Sequence, residues 1–339
     1  MKKHRPLIRK IFVAMTIVMA LLCRVLQVIF DSVFAAKRKK YISFHKKQKR
    51  IQKEKAKQNE DIKAKNKTED DKRYEENAQM GQAWFLSMPY EEVVIEAEDG
   101  AKLTGYYLDA PTHLKKGKES VPCILCVHGY RSNGIYEFGH FARLYHSLGY
   151  SVLLIDERGH GKSGGEYITF GITERYDVLR WLRWLLKKTK GQHPIYLHGL
   201  SMGASTVLMA SEYITHPMVK GIIADCGFTS PKEIIECVAK NVTHVPVNIL
   251  LKYMSLRCKR CGEFDLLTPS TVKALKKNRI PVLFIHGDKD TFVPTIMTRI
   301  NYDACVAPKK MLIVKGATHA MSYLKNPKQY KEELLAFIE

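Results

Sequence analysis

Residues 194–210, PIYLHGLSMGASTVLMA, join a short apolar strand to a run of small and apolar residues with helical character. Between them Gly199-Leu200-Ser201-Met202-Gly203 forms a G-x-S-x-G pattern at a strand-to-helix junction, the context a nucleophile elbow requires. The glycines allow a tight turn, which leaves Ser201 on a strained backbone with its Oγ free of neighbouring side chains. Such a pentapeptide also arises by chance, so its neighbours have to supply the rest of the chemistry.

A serine hydroxyl is a weak nucleophile and needs a base, and the base needs an orienting acid. In this arrangement both follow the serine in the chain, each after the C-terminal end of a later strand. PVLFIHG (281–287) is followed by Asp288-Lys289-Asp290, and KMLIVKG (310–316) by Ala317-Thr318-His319. Asp290 is the expected acid and Asp288 its rival, because Asp288 comes where the chain is still leaving the strand and suits a loop cap. His319 is the expected base, since it alone among 13 histidines directly follows the last strand. Two backbone N–H groups must hold the oxyanion. Met202 starts the helix after the elbow, and Tyr130 follows Val127-His128-Gly129 at the end of an earlier strand. His128 and His198 precede the serine and read as loop-shaping and packing residues. Each residue alone has an ordinary structural explanation; together, in order, they do not.

Outward from the elbow the pattern is regular. EEVVIEA and KLTGYYLDA flank Asp99-Gly100 as a hairpin, and VPCILCV, YSVLLID, GIIADC and the strands already named alternate with helical stretches near 138–148, 171–188 and 327–338. This alternation predicts a mainly parallel eight-stranded sheet with helices on both faces. Residues 229–275 read as a short helical insertion between the sixth and seventh strands, forming either a cap or added core. Asp225 and Phe228, after the sixth strand, are candidate pocket residues.

The motifs VHGYRSNG (127–134), LLIDERGHGKSGG (153–165), LHGLSMGAS (197–205), ADCGFTS (224–230), LFIHGDKDTFVP (283–294) and VKGATHAMSY (314–323) closely resemble the α/β-hydrolase superfamily. In combination they are similar to bacterial serine hydrolases described as membrane-bound cell-surface enzymes. The resemblance covers about 88–338. It implies Ser201 as nucleophile, Asp290 as acid, His319 as base, Tyr130 and Met202 as oxyanion-hole amides, and Gly199 and Gly203 as elbow glycines. Asp156, Arg158, Gly159 and Gly161 match a structural loop. The implied reaction is hydrolysis of a small carboxylic acyl ester without cofactor or metal. The alternatives are peptidase or acyl-aminoacyl hydrolase, lipid acyl hydrolase, thioesterase, or a non-catalytic tethered binding module.

The N-terminal quarter is different. Of the net charge of +21, most lies in residues 1–80, which hold 22 basic and 9 acidic side chains. Ile11 to Phe30 is apolar except for Arg24 and Gln27, about 30 Å if helical, and reads as a single-pass membrane anchor. A cleaved signal ending near Val33-Phe34-Ala35 and a buried or interfacial helix are the alternatives. Residues 37–57 carry 11 Lys or Arg and one acid, and beside an anchor they are expected to meet anionic lipid headgroups. Charge counting places the catalytic domain in the cytoplasm, whereas the family resemblance suggests the cell surface. The expected division is therefore anchor 1–36, charged linker 37–87 and catalytic domain 88–339. No nucleic-acid platform accompanies the basic stretch, and the oligomeric state is not legible. Eight cysteines form no disulfide framework; Cys258 and Cys261 have CxxC spacing but lack further zinc ligands.

Overall fold

A computed structural model of the chain describes residues 22–36, 68–115, 120–242 and 245–338. Eight strands form one sheet: β1 (Glu91–Glu96), β2 (Lys102–Leu108), β3 (Cys123–Val127), β4 (Ser151–Ile155), β5 (Ile195–Leu200), β6 (Val219–Asp225), β7 (Val282–Gly287) and β8 (Lys309–Val314). Their order is β1-β2-β4-β3-β5-β6-β7-β8. The first two strands are antiparallel to their neighbours, and β3 through β8 run parallel. This is the α/β-hydrolase fold expected from the sequence. The central strands are apolar on both sides because helices cover both faces. In β3, Cys123, Leu125 and Val127 enter one buried cluster while Ile124 and Cys126 enter the other. The strand order reverses at β3, so the connections leaving β3 and β5 diverge and open a crevice at their C-terminal ends.

The helices are α1 (22–34), α2 (Glu69–Leu86), α3 (Gly134–Ser147), α4 (Glu174–Lys188), α5 (Met202–Ala210), α6 (Pro231–Val242), α7 (Val247–Arg257), α8 (Thr271–Leu275), α9 (Thr295–Ala304) and α10 (Pro327–Ile338), apart from a few single turns. In α4, Val178, Trp181, Leu182 and Leu185 are buried on one face, as their spacing dictates. Helices α6 to α8 form the insertion between β6 and β7.

Helix α2 lies within the stretch read as charged linker. It starts with a capping box, Thr68 bonding the Asp71 backbone and Asp71 the Thr68 backbone. Despite its charge it buries Ala78, Gly81 and Phe85. Gly81 crosses α3 at Gly139 so closely that a Cβ on Gly81 would stand 2.2 Å from the His140 nitrogen. Only glycine fits that crossing.

The expected membrane anchor is corrected by α1. Among the described residues, no helix is long and apolar enough to cross a membrane. Leu26, Phe30 and Phe34, one helical turn apart, are buried in a cluster with Phe170, Met254 and Phe264 of the catalytic domain. The Phe34 ring is 5.6 Å from Phe170 and 5.9 Å from Phe264. Leu26 and Phe30, two of the apolar residues that suggested a lipid-facing span, instead pack on protein, and Phe34, in the candidate cleavage site, is fully buried. The single-pass membrane location and the likeness to membrane-bound enzymes in that respect are therefore not supported. Residues 11–21 and 37–57 lie outside the described residues; with no spanning helix among the described residues, the headgroup role of 37–57 is not supported.

Candidate active site

Ser201 ends the turn between β5 and α5 with φ 54° and ψ −113°, a conformation L-residues avoid. The turn tolerates nothing larger at its glycines. A Cβ on Gly203 would meet the Val127 carbonyl oxygen at 1.9 Å, and one on Gly199 the Gly203 oxygen at 2.3 Å. The Ser201 N–H donates to the Asp225 carbonyl at 2.8 Å, tying the elbow to the end of β6.

His319, in the loop after β8, reaches both partners. Its Nε2 lies 2.9 Å from Ser201 Oγ and its Nδ1 lies 2.6 Å from Asp290 Oδ2. A carboxylate only accepts, so Nδ1 carries the proton and Nε2 is the acceptor facing the serine hydroxyl. Asp290 is fixed from three sides. Its Oδ1 accepts from the Phe292 and Val293 N–H groups, both at 2.9 Å, and its Oδ2 also accepts from His286 Nε2 at 3.0 Å. Burial opposes its charge, but the hydrogen bonds from His286 and His319 outweigh burial and hold the carboxyl well below the usual range. Asp288 is exposed and faces elsewhere, its Oδ1 accepting from the Gly316 N–H at 2.6 Å.

His286 lies within the LFIHGDKDTFVP motif, but the sequence assigns it no role. Its Nδ1 accepts from the Thr298 hydroxyl at 2.6 Å, and its Nε2–H is shared between Asp290 and the Val293 carbonyl, at 2.9 Å from the latter. It thus fixes the acid from behind. Its role exists only once the loop after β7 curls back over the strand.

On the other side of Ser201, Met202 opens α5, where a first-turn N–H has no intrahelical acceptor. Tyr130 follows β3. The N–H before it, of Gly129, donates to Glu137, and the N–H after it, of Arg131, donates to His160 Nε2 at 2.9 Å. Among the described residues the Tyr130 N–H meets no acceptor, which leaves it available at the crevice. His128 shapes this loop: its Nε2 accepts from the Glu157 N–H at 3.0 Å, and burial keeps it neutral. Glu137, also given no role by the sequence, is buried beneath the loop and accepts from the Tyr74 hydroxyl of α2 at 3.0 Å.

Asp225 does not line an entrance. It is buried below the elbow and accepts from the Tyr330 hydroxyl at 3.1 Å, and burial raises its carboxyl to about 7. His198 sits beside it between Tyr145 and Tyr330, its pKa lowered by burial to about 3. Phe228 is buried in the apolar cluster that contains Met202, Phe170 and Val293. In the insertion, Cys258 is buried and burial pushes its thiol up to about 12; Cys258 and Cys261 are both free.

The arrangement of hydroxyl, imidazole and carboxylate, with two N–H groups at a topological switch point, is that of a serine hydrolase. Comparison with known proteins agrees. The family model "Serine aminopeptidase, S33" matches residues 118–260. The uncharacterized protein YqkD of Bacillus subtilis is 30% identical over 277 residues, 81% of this chain and 88% of that protein. Lysophosphatidylserine lipase ABHD12 of Danio rerio is 27% identical over 214 residues, covering 60% of this chain and 52% of that protein. Among solved structures, the Pyrococcus furiosus esterase Pf2001 superposes with a TM-score of 0.60 at 23% identity, covering 75% of this chain and 91% of that one. The chain belongs to the α/β-hydrolase superfamily. Within it, the protein is a catalytic serine hydrolase.

Proposed function

We propose that Ser201 is the nucleophile, His319 its base, Asp290 the orienting acid, and the Tyr130 and Met202 N–H groups the oxyanion hole of an enzyme that hydrolyses small carboxylic esters. The observation that carries this reading is the continuous bonding of His319 to Asp290 at 2.6 Å and to Ser201 at 2.9 Å. Ser201 Oγ attacks the ester carbonyl while its proton passes to His319 Nε2. The carbonyl oxygen, now negative, turns toward the two N–H groups. His319 returns the proton to the leaving alcohol, and the acyl group stays on Ser201. Water then repeats the sequence, its proton going to His319, and releases the acid. Asp290 stays ionised throughout and stabilises the imidazolium.

An ester is favoured over an amide by the surroundings of the serine. Phe170, Met202, Phe228 and Val293 form an apolar cluster there, suited to an uncharged acyl chain more than to an α-ammonium group. The names esterase and lysophosphatidylserine lipase carried by two of the similar proteins point the same way. The test is labelling by a fluorophosphonate probe together with turnover of p-nitrophenyl esters beside aminoacyl p-nitroanilides. Labelling is expected on the peptide containing Gly199 to Gly203, and Ser201→Ala is expected to abolish it with melting temperature unchanged. Undiminished labelling of that variant would overturn the assignment.

A further inference from the structure

The leaving group of an ester departs toward His319 Nε2, the atom that protonates it. Phe292 stands on that side, its ring 5.0 Å from the His319 ring. The acyl chain lies on the other side of the carbonyl, and beside the Tyr130 and Met202 amides stand Met202, Phe170 and Phe228 of one buried apolar cluster. That cluster is completed by a segment far from the catalytic motifs. Leu26, Phe30 and Phe34 of α1 belong to the same buried cluster. The Phe34 ring meets Phe170 edge-on at 5.6 Å, and Phe170 in turn stacks on Tyr130 at 5.2 Å with the planes 20° apart.

Helix α1 is also fastened to the oxyanion loop itself. The last carbonyls of a helix lack intrahelical donors. Here the Tyr130 hydroxyl donates to the Val33 carbonyl at 2.7 Å and Arg131 donates to the Ser32 carbonyl at 2.7 Å. At the last residue of the helix, the Phe34 carbonyl accepts from the N–H of Ile168, two residues before Phe170, at 2.7 Å. Toward its other end Gln27 accepts from the Tyr253 hydroxyl of the insertion at 2.9 Å. The helix is thus held between insertion and oxyanion loop, with its aromatic face turned inward.

We propose that α1 is the far wall of the acyl pocket and that Phe34 sets the length of acyl chain the enzyme accepts, an inference that rests on the ester-hydrolase reading of Ser201. Wild-type enzyme takes short chains because Phe34 and Phe170 occupy the path a longer one would follow. Shortening Phe34 opens that path without touching a catalytic group.

The experiment measures kcat/KM of the full-length chain on p-nitrophenyl esters from acetate to dodecanoate, in wild type, Phe34→Leu, Phe34→Ala and, as control, Leu22→Ala on the exposed face of α1. The quantity compared is the octanoate-to-acetate ratio within each protein, which does not depend on how much of a preparation is folded. One methylene in an apolar pocket discriminates by about tenfold or more, so Phe34→Ala is expected to raise the ratio by at least about tenfold, with Phe34→Leu between it and wild type. Leu22→Ala is expected to leave the ratio unchanged. Ratios within twofold of wild type in both Phe34 variants would overturn the proposal. So would a wild-type profile that rises steadily with chain length, which stands even if both variants fail to fold. If no ester is turned over but Ser201 reacts with fluorophosphonates, the ester reading fails separately. Relative labelling rates of short-alkyl and long-alkyl fluorophosphonates then decide the role of Phe34 on the same criterion.

Discussion

The two flanks of Ser201 are built from different materials. On the β7–β8 side, Asp290 and His319 stand in short loops fixed by polar contacts: two backbone N–H groups, His286 and each other. On the β3 side, the oxyanion loop is backed by aromatic rings and by α1, which lies about a hundred residues upstream and is joined to it through Tyr130 and Arg131. The polar flank is local, with its partners within a few residues of a strand end. The apolar flank is assembled from remote segments, and any part of it can be trimmed without removing a reacting group. Damage to the polar flank should therefore appear in kcat with the fold intact, and damage to the apolar flank in stability and in substrate choice.

The sharpest break in this contrast lies between two aspartates two residues apart. Asp290→Asn removes the charge that orients His319 and stabilises its imidazolium. It is expected to lower kcat by on the order of 10⁴-fold, the loss the same substitution brings to the triad of chymotrypsin-like enzymes. Asp288→Asn loses part of a bond to the Gly316 N–H at the exposed surface and is expected to cost less than about tenfold. Thermal melting and kcat on the best p-nitrophenyl ester, measured for both, test the pair. Equal losses in the two variants would mean that the loop, and not the orienting carboxylate, is what matters.

The same contrast explains what can be read in the sequence. The sheet, the elbow and the positions of Asp290 and His319 are legible because each is a local pattern: an apolar strand, a glycine turn, a polar residue after a strand end. The preference for Asp290 over Asp288 rests on where each falls after the strand, and in the structure Asp290 meets His319 while Asp288 meets the Gly316 N–H. The roles of His286 and Glu137 are not legible, since each acts through a contact made only after folding. Helix α1 misleads for a physical reason. As a string, 11–30 has the composition of a membrane span. As a helix, 22–34 turns Leu26, Phe30 and Phe34 inward and leaves Val25 and Val28 exposed, and composition does not distinguish a lipid-facing surface from a protein-facing one. Helix α2 misleads in the opposite sense. Its charges cover an outer surface, while Gly81 and Phe85, too few to raise its hydropathy, make the contacts that count.

If α1 is part of the catalytic body, its inner and outer faces must differ in energetic weight. Phe30 is fully buried, and Phe30→Ala is expected to destabilise the protein by about 3–5 kcal/mol, the usual cost of emptying a large core site. Val28 is 64% exposed, and Val28→Ala is expected to stay within about 0.5 kcal/mol of wild type. Urea unfolding of the full-length variants compares them directly. Equal midpoints for the two variants would show that the helix is not docked in solution. Removal of residues 1–36 strips all three inward side chains from the cluster, so the truncated protein is expected to melt lower than the full chain.

The smallest expected effect sharpens the contrast from beneath the oxyanion loop. Glu137 accepts from the Gly129 N–H and the Tyr74 hydroxyl, and burial, only partly offset by these bonds, raises its carboxyl from 4.5 to about 7. Between about pH 4.5 and 7 the unfolded chain has released this proton while the folded protein retains it. The folded state then binds more protons, so stability falls as pH rises through that window and levels off above about pH 7. Glu137→Gln keeps an oxygen for the Gly129 N–H but does not titrate. Its melting temperature relative to wild type is expected to rise from pH 5 to pH 8, by a few degrees for a difference on the order of 1–3 kcal/mol. Asp177 and Asp225, whose carboxyls burial raises to about 6 and about 7, titrate in both proteins and cancel in the difference. Parallel melting curves across that range would mean that Glu137 is ionised at its ordinary pKa and that water reaches the underside of the loop. The apolar flank would then be less closed than its aromatic packing implies, and the oxyanion loop less dependent on α2 than the Tyr74 bond suggests.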